Sequence, residues 1–146
     1  MVADGLVEDM VQQSTSHAYG FNALMYGKNY INVMIEKNQE FQDGIISYKT
    51  TNSFSPVKKN QTQVSFTLYE LDDSELKKDK MVPITKGKSL NKKTTIEVPD
   101  EYYSANKSCD YKVSVEYRLT AEMELTMIIY DEQGNVLEEK SFLIED

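Results

Sequence analysis

The chain has 146 residues, with 24 acidic and 16 basic side chains, so its formal net charge is −8 when the single histidine is neutral. That length fits one domain with a core large enough to fold without cross-links. The acidic balance argues against a general nucleic-acid binder, because phosphates would be repelled. One cysteine and one histidine exclude an internal disulfide and a structural zinc cluster of four thiolate or imidazole ligands.

Neither a membrane helix nor a signal peptide is predicted. The longest purely apolar runs span only a few residues, whereas a membrane helix needs about 20. Residues 1–13 are acidic and have no basic region ahead of an apolar one. The lack of disulfides suits a reducing compartment. We therefore expect a cytoplasmic protein with no membrane partner.

Hydrophobic alternation predicts strands along most of the chain. From residue 19 onward, apolar side chains recur with period two, which is typical of strands with one buried face. The predicted strands are 19–24, 30–36, 47–54, 64–68, 94–98, 111–119, 123–129 and 136–144. Gly27 and Gly134 fall in predicted turns. Short strands at this spacing favour an all-β, antiparallel sandwich or barrel.

Two stretches break the alternation. Residues 1–13 are predicted to be a linker or tail, spaced for a short amphipathic helix or an apolar linker. Its apolar residues include Leu6, Val7, Met10 and Val11. Residues 72–93 are charged and lysine-rich, so we expect a long, mobile loop with a short extended piece at 81–84. Residues 14–146 then form one β-sandwich domain.

Residues suited to catalysis are sparse. His17, the only histidine, precedes a strand, and Cys109 is distant from it in sequence. The six glycines are scattered, and none opens a phosphate-binding loop. Asp131 and Asn135 around Gly134 fit a plain hairpin turn better than a calcium loop. The chain is therefore predicted not to be an enzyme and to hold no metal.

Five segments share their order and spacing with the motifs of one protein family. Residues 15–20 (TSHAYG) lead into a strand as that family's opening segment does, and 33–38 (VMIEKN) resemble its strand end L-I-x-K/R-N. Residues 54–70 (FSPVKKNQTQVSFTLYE) are similar to its run F-S/T … N-Q … V-x-I-x-V-x-x-G-E. Residues 111–117 (YKVSVEY) and 125–131 (LTMIIYD) resemble its pair I-x-V-x-F-x-I … L-x-V-x-A-x-D. Over almost all of its length the chain thus resembles the peptide-binding domain of DnaK-type heat-shock-70 chaperones.

The resemblance implies an eight-stranded antiparallel β-sandwich made of two four-stranded sheets. In that family an extended peptide lies in a channel formed by strands and loops at one end, held by main-chain hydrogen bonds and by an apolar side-chain pocket. The implied partner is a hydrophobic segment of an unfolded polypeptide. The implied role is that of a molecular chaperone domain, not itself an enzyme and without a cofactor of its own.

Carried over residue by residue, the resemblance implies a peptide-binding site in three parts. The pocket wall comprises Phe21, Phe54, Val64, Phe66 and Tyr111. The arch over the peptide comprises Leu24 and Val57. The strands that bind the peptide backbone carry Ala23, Ser55 and Gln61. Alternation alone leaves open that all of these are ordinary sandwich core.

The resemblance also bears on the ends of the chain. The ATPase domain of that family, with its ATP and Mg, would lie outside this chain, and whether a helical lid follows stays open. The chain is then a fragment of a longer chaperone or a stand-alone form. That domain and co-chaperones are the further expected partners, and residues 1–13 take the place of the interdomain linker. Without its usual partner, this segment is expected to pair with another molecule's cleft or sheet edge. A disordered tail is the alternative.

A second function stays open at this point. An immunoglobulin-like structural or adhesion sandwich would also satisfy the alternation, and it needs no peptide cleft. The two interpretations differ in one structural consequence. The chaperone interpretation requires Phe54 and Val64 to border the same groove.

Overall fold

The structure of the chain is a computed structural model that describes residues 13–25 and 27–144. The apolar residues of the predicted linker, from Leu6 to Val11, lie outside these ranges. Its self-association therefore stays a prediction. In the described part of the chain, no helix is long and apolar enough to cross a membrane.

The described residues form two antiparallel sheets. The strands are β1 (Ala18–Met25), β2 (Lys28–Ile35), β3 (Ile45–Lys49), β4 (Gln63–Leu71), β5 (Met81–Pro83), β6 (Lys88–Glu97), β7 (Val113–Thr120), β8 (Glu124–Asp131) and β9 (Val136–Leu143). One sheet has the order β5-β2-β1-β4-β6 and the other the order β3-β7-β8-β9. A one-turn α-helix at Asp100–Tyr103 and 3-10 turns at Ile84–Lys86 and Ser108–Asp110 complete the described elements. The predicted all-β, two-sheet architecture is confirmed.

Strand β7 shows why the alternation predicts these sheets. Val113, Val115, Tyr117 and Leu119 are buried, whereas Arg118 between them is exposed. Successive side chains of a strand point to opposite faces, so the apolar set meets the other sheet and the polar set meets solvent. The main core lies between the two sheets.

The two sheets are also joined by a buried polar contact. The Tyr117 hydroxyl donates a hydrogen bond of 2.9 Å to the carbonyl of Gly20. A Cβ on Gly20 would lie 2.2 Å from the carbonyl oxygen of Asn32, which is closer than atoms can approach. Glycine at this position therefore lets β1 and β2 pair closely. Burial raises the pKa of the Tyr117 phenol well above its usual range, so that it stays a donor.

The predicted hairpin turn at 131–135 is confirmed. Gly134 has a φ of 87°, in the left-handed region that glycine reaches without strain. Oδ1 of Asp131 accepts the N–H of Gln133 at 3.0 Å and that of Asn135 at 2.8 Å. The main-chain hydrogen bond from Asn135 is the largest cause of a lowered pKa at Asp131.

The expectation of two four-stranded sheets is wrong by one short edge strand. β5 pairs with β2 and makes one sheet five-stranded. Without this three-residue strand, the other eight form two sheets of four. The predicted short extended piece at 81–84 is this strand.

The prediction of a long loop at 72–93 is wrong over much of its length. The segment contains β5, the 3-10 turn and the first half of β6. Leu76 and Val82 are buried against Ile31 and Val33, so the segment covers the outer face of β2. The first half of β6 is rich in lysine, so its sequence resembles a loop. A positive φ at Asn91 also interrupts its alternation.

Strand β3 is shorter than predicted and lies earlier in the chain. It ends at Lys49, and Thr50 then forms two hydrogen bonds with Val115, one through its main-chain N–H and one through its hydroxyl. The chain leaves the ladder there as a loop, 50–62, that crosses from one sheet to the other. Phe54 is placed on this loop, where it forms an isolated bridge to Val113.

Candidate functional site

Two neighbouring strands of the five-stranded sheet separate before they end. The pairing of β1 with β4 covers only 18–21 opposite 68–71. β1 continues to Met25 paired with β2 on its other side, and β4 begins at Gln63 paired with β6 on its other side. Among the described residues, 22–25 therefore have no ladder partner on β4. The separation opens a gap with a strand edge on each side.

The separation begins at a side-chain hydrogen bond. Oδ1 of Asn22 accepts the main-chain N–H of Thr67 at 2.6 Å, directly after the last paired residues, Phe21 and Leu68. The side-chain carbonyl thus takes the place of a ladder carbonyl. The N–H is satisfied without requiring the two strands to stay together.

A cleft of about 450 Å³ occupies this gap. Eight of the ten residues predicted from the resemblance line it: Ala23, Leu24, Phe54, Ser55, Val57, Gln61, Val64 and Phe66. The remaining lining residues are Asn22, Asn29, Ser53, Pro56 and Ser65. They come from the β1–β2 hairpin on one side and from the 50–62 loop and β4 on the other. Phe54 and Val64 therefore border one cleft.

The floor of the cleft is aromatic. Phe66 is 3% exposed and Phe54 is half-buried. Both meet the ring of Phe21 edge to face, with centroid distances of 5.5 Å for Phe66 and 5.0 Å for Phe54. Such edge-to-face contacts favour one arrangement of the rings. The floor is therefore apolar and fixed in shape.

Phe21 and Tyr111, the other two predicted site residues, do not line the cleft. Phe21 is wholly buried beneath the floor, because its side chain points between the sheets. Tyr111 lies just before β7, where its ring packs on Tyr102 with centroids 5.0 Å apart. Burial, followed by the charge of Asp131, raises the pKa of the Tyr111 phenol. Both residues support the core.

The mouth of the cleft carries two exposed apolar side chains among its polar ones. Leu24 and Val57, the predicted arch residues, are 42% and 51% exposed. Leu24 stands near the end of β1 and Val57 stands on the 50–62 loop, so they flank the opening from two sides. Exposed apolar side chains around an apolar floor are typical of a binding groove.

The 50–62 loop is held by the side chain of Gln61. Its Oε1 accepts the main-chain N–H of Val57 at 3.2 Å and that of Lys58 at 3.3 Å, and its Nε2 donates to the carbonyl of Gln63 at 2.8 Å. The Ser108 hydroxyl, which is buried, donates to the carbonyl of Gln61 at 2.7 Å. These bonds commit the Gln61 amide to shaping the loop.

The same loop is anchored to the second sheet at its other end. Phe54 donates its N–H to the carbonyl of Val113 at 2.7 Å and accepts the N–H of Val113 at 2.9 Å. The cleft is thereby bordered by an ordered loop.

Sequence reasoning missed the polar residues of the cleft. Asn22 and Ser65 are the outward-facing members of alternating strands, a position that polar residues occupy in any half-buried sheet. Asn29 and Ser53 lie in or beside turn-like sequence. No signal in a single sequence distinguishes them from solvent-facing neighbours. Their contribution arises only because β1 and β4 separate.

A wider pocket of about 750 Å³ lies at the opposite end of the five-stranded sheet. Its lining includes His17, Glu70, Lys88 and Leu143. Nε2 of His17 is 3.7 Å from Glu70, and Asp72 has a lowered pKa because Lys37 hydrogen-bonds to it. Some of the charged groups here lie within ion-pair distance of one another, as His17 and Glu70 do, and the lining includes no Phe, Tyr or Trp. It is therefore the weaker candidate.

Among the residues that the structure describes, neither a cluster of metal ligands nor an activated nucleophile is evident. No group of three His, Cys, Asp or Glu side chains in 13–25 and 27–144 is arranged to hold a metal ion. Cys109 is a half-buried free thiol in the 3-10 turn Ser108–Asp110. The arrangement of the cleft suits binding through strand edges and apolar contact. Compared with known proteins, the chain matches no family model and no curated sequence.

Proposed function

We propose that the chain binds extended apolar segments of unfolded polypeptides in the cleft between β1 and β4, as the substrate-binding sandwich of a heat-shock-70-type chaperone. The observation that carries the proposal is the separation of these two strands around an aromatic floor. A gap between two strand edges suits a third strand, and the apolar floor suits a side chain from that strand.

The binding mode follows from strand chemistry. An extended peptide presents N–H and C=O groups on both of its edges, so it pairs with β1 on one side and with β4 or the 50–62 loop on the other. Every second side chain then points toward the floor formed by Phe54 and Phe66. The main chain supplies affinity for any sequence, and the floor selects apolar residues.

Burial against the floor supplies the selectivity. An apolar side chain that leaves water gains about 25 cal/mol per Å² of buried apolar surface. Leu24 and Val57 at the mouth extend the apolar contact to the peptide's neighbouring residues. The order of the 50–62 loop lowers the entropy lost on binding, because Gln61 has already fixed its shape.

The finer features of the chaperone belong to the same proposal. They are an ATP-driven cycle in a separate domain with its Mg, co-chaperones and a cytoplasmic location. Catalysis is not proposed for the chain itself. The immunoglobulin-like alternative needs no cleft at all, and no feature of the described residues favours it.

The test is a pair of matched valine substitutions. Val57 at the cleft mouth and Val136 on β9 are exposed to similar extents, 51% and 56%. A labelled, leucine-centred heptapeptide is titrated by fluorescence anisotropy with the full chain, with Val57→Ser and with Val136→Ser. We expect Val57→Ser to weaken binding by about 1 kcal/mol and Val136→Ser to leave it unchanged. Absence of saturable binding by the full chain would overturn the proposal.

A stronger variant tests the floor. Val64→Asp places a charge at the edge of the apolar floor and is expected to abolish binding. Circular dichroism establishes that the variant is folded. Equal peptide affinity in Val64→Asp and the full chain would also overturn the proposal.

A further inference from the structure

The charge around the cleft differs from that of the rest of the chain. Segments 18–34 and 50–69, which supply every lining residue, contain no aspartate or glutamate, although the chain has 24 acidic residues. The same two segments contain Lys28, Lys58 and Lys59. A chain with a net charge of −8 therefore carries a locally positive region around this opening.

The three lysines flank the cleft from both sides. Lys28 begins β2 beside the lining residue Asn29, whereas Lys58 and Lys59 follow Val57 on the 50–62 loop. All three are exposed. Among residues 13–25 and 27–144, the structure pairs none of these three ammonium groups with a carboxylate. Their charge is therefore available to a ligand.

Of the neighbouring carboxylates, Glu97 and Asp100 lie on the other side of β4. Asp110 lies in the 3-10 turn whose Ser108 donates its N–H to the carbonyl of Lys59 at 2.9 Å. Glu97 at the end of β6 is opposite Gln63, whose amide donates to it at 2.8 Å. Asp100, in the short helix that follows, accepts the Ser104 hydroxyl at 2.8 Å. Because β6 flanks β4 on the side away from β1, these groups adjoin the outside of the cleft.

The acidic groups of the sheet concentrate at its opposite end. Glu70 and Asp72 close β4 there, and Glu36 follows β2. Lys37 and His17 lie within ion-pair distance of Asp72 at that end. At that end carboxylates lie beside lysines, as Glu36 does beside Lys77 at 3.9 Å, whereas the segments that line the cleft carry lysines and no carboxylate.

We infer that the cleft selects extended segments whose apolar centre is flanked by acidic residues. The inference rests on the proposed function and adds the charge of the substrate. A peptide seated between β1 and β4 carries its flanking residues past the lysines on the two sides of the opening. Exposed ion pairs contribute little individually, but several of one sign also steer association.

The experiment compares three labelled peptides with one leucine-centred core and with glutamate, serine or lysine flanks. Anisotropy titrations are run with the full chain in about 50 mM and about 500 mM salt. The glutamate-flanked peptide is expected to bind roughly threefold to tenfold more tightly than the serine-flanked one at low salt, and the lysine-flanked peptide most weakly. The differences should shrink at high salt, because screening weakens exposed charge pairs.

Two double variants with the same change in net charge locate the effect. Lys58→Gln/Lys59→Gln should remove most of the preference for glutamate flanks, whereas Lys88→Gln/Lys92→Gln, in the wider pocket at the other end of the sheet, should retain it. Equal binding of the three peptides, or tightest binding of the lysine-flanked one, would overturn the inference while leaving the proposed function standing. Absence of binding by all three would overturn both.

Discussion

The side-chain carbonyl of Asn22 lies 2.6 Å from the main-chain nitrogen of Thr67, at the point where the ladder between β1 and β4 stops. One amide thus satisfies a half-buried N–H that a continuing ladder would otherwise pair. The strands separate beyond it, and the cleft opens at that point. The position of the proposed site therefore depends on this contact.

Asn22→Ala is expected to destabilise the chain by about 1–2 kcal/mol, because the N–H of Thr67 loses its acceptor in a half-buried place. Hydrogen exchange of the Thr67 amide, followed by NMR, should become faster relative to the amides of β8. Asn22→Asp retains an acceptor and should preserve protection of that amide. An unchanged Thr67 exchange rate in Asn22→Ala would contradict the role assigned to the contact.

Gln61→Ala removes three hydrogen bonds that shape the 50–62 loop. We expect weaker binding of a serine-flanked apolar peptide, roughly threefold to tenfold, because ordering the loop then adds to the cost of binding. Gln61→Glu keeps the acceptor for the N–H groups of Val57 and Lys58 and should retain most of the affinity. Anisotropy titration of the two variants separates a loop-shaping role from direct contact, since equal losses in both would argue against loop shaping.

The raised pKa of Tyr48 predicts how the stability of the folded chain depends on pH. Its hydrogen bond to Asp79, followed by burial and by the charge of Asp79, raises the pKa of Tyr48 to about 12. The folded chain therefore holds this proton more tightly than the unfolded chain, whose tyrosines ionise at about pH 10. Stability from this group is fully present below about pH 10 and is lost as pH rises toward 12.

Urea unfolding of the full chain and of Tyr48→Phe near pH 9 and near pH 12 measures this contribution. The free energy of unfolding of the full chain should exceed that of Tyr48→Phe at the lower pH, and the gap should narrow at the higher pH. The variant is its own control for the other tyrosines, because they titrate in both proteins. A gap that stays constant or widens would contradict the raised pKa.

The N-terminal segment gives a prediction that depends on the sequence alone. Leu6, Val7, Met10 and Val11 are apolar and precede the sandwich. Self-association that rises with concentration and falls when residues 1–12 are deleted is expected from sedimentation velocity. A monomer at all concentrations for both proteins would contradict it.

Alternation was sufficient to predict the core strands. In β7 and β8 every second residue is apolar, and each is buried, because one sheet face packs on the other. It failed for the first half of β6, residues 88–93, where Asn91 has a positive φ and lysines fill the exposed positions, whereas the second half falls within the predicted strand 94–98. It also failed for Phe54, which belongs to a loop held by two hydrogen bonds to Val113.

The site was predictable only in part, for a physical reason. Resemblance to a known family indicates which strand ends border the cleft, and eight of the ten named residues lie there. It does not determine where β1 and β4 separate, so Phe21, which is still paired with β4, lies beneath the floor, whereas Ala23, further along the same face, lines the cleft. The contribution of Asn22 depends on the point where β1 and β4 separate, a tertiary property that local sequence does not encode.

The central claim is that a peptide inserts between β1 and β4, and amide hydrogen exchange with and without a saturating leucine-centred peptide tests it most directly. The account predicts added protection at residues 22–25 and 63–66, with none along the edge strand β9 (Val136–Leu143). Added protection confined to β9 or to β6, with 22–25 and 63–66 unchanged although the peptide binds, would contradict it.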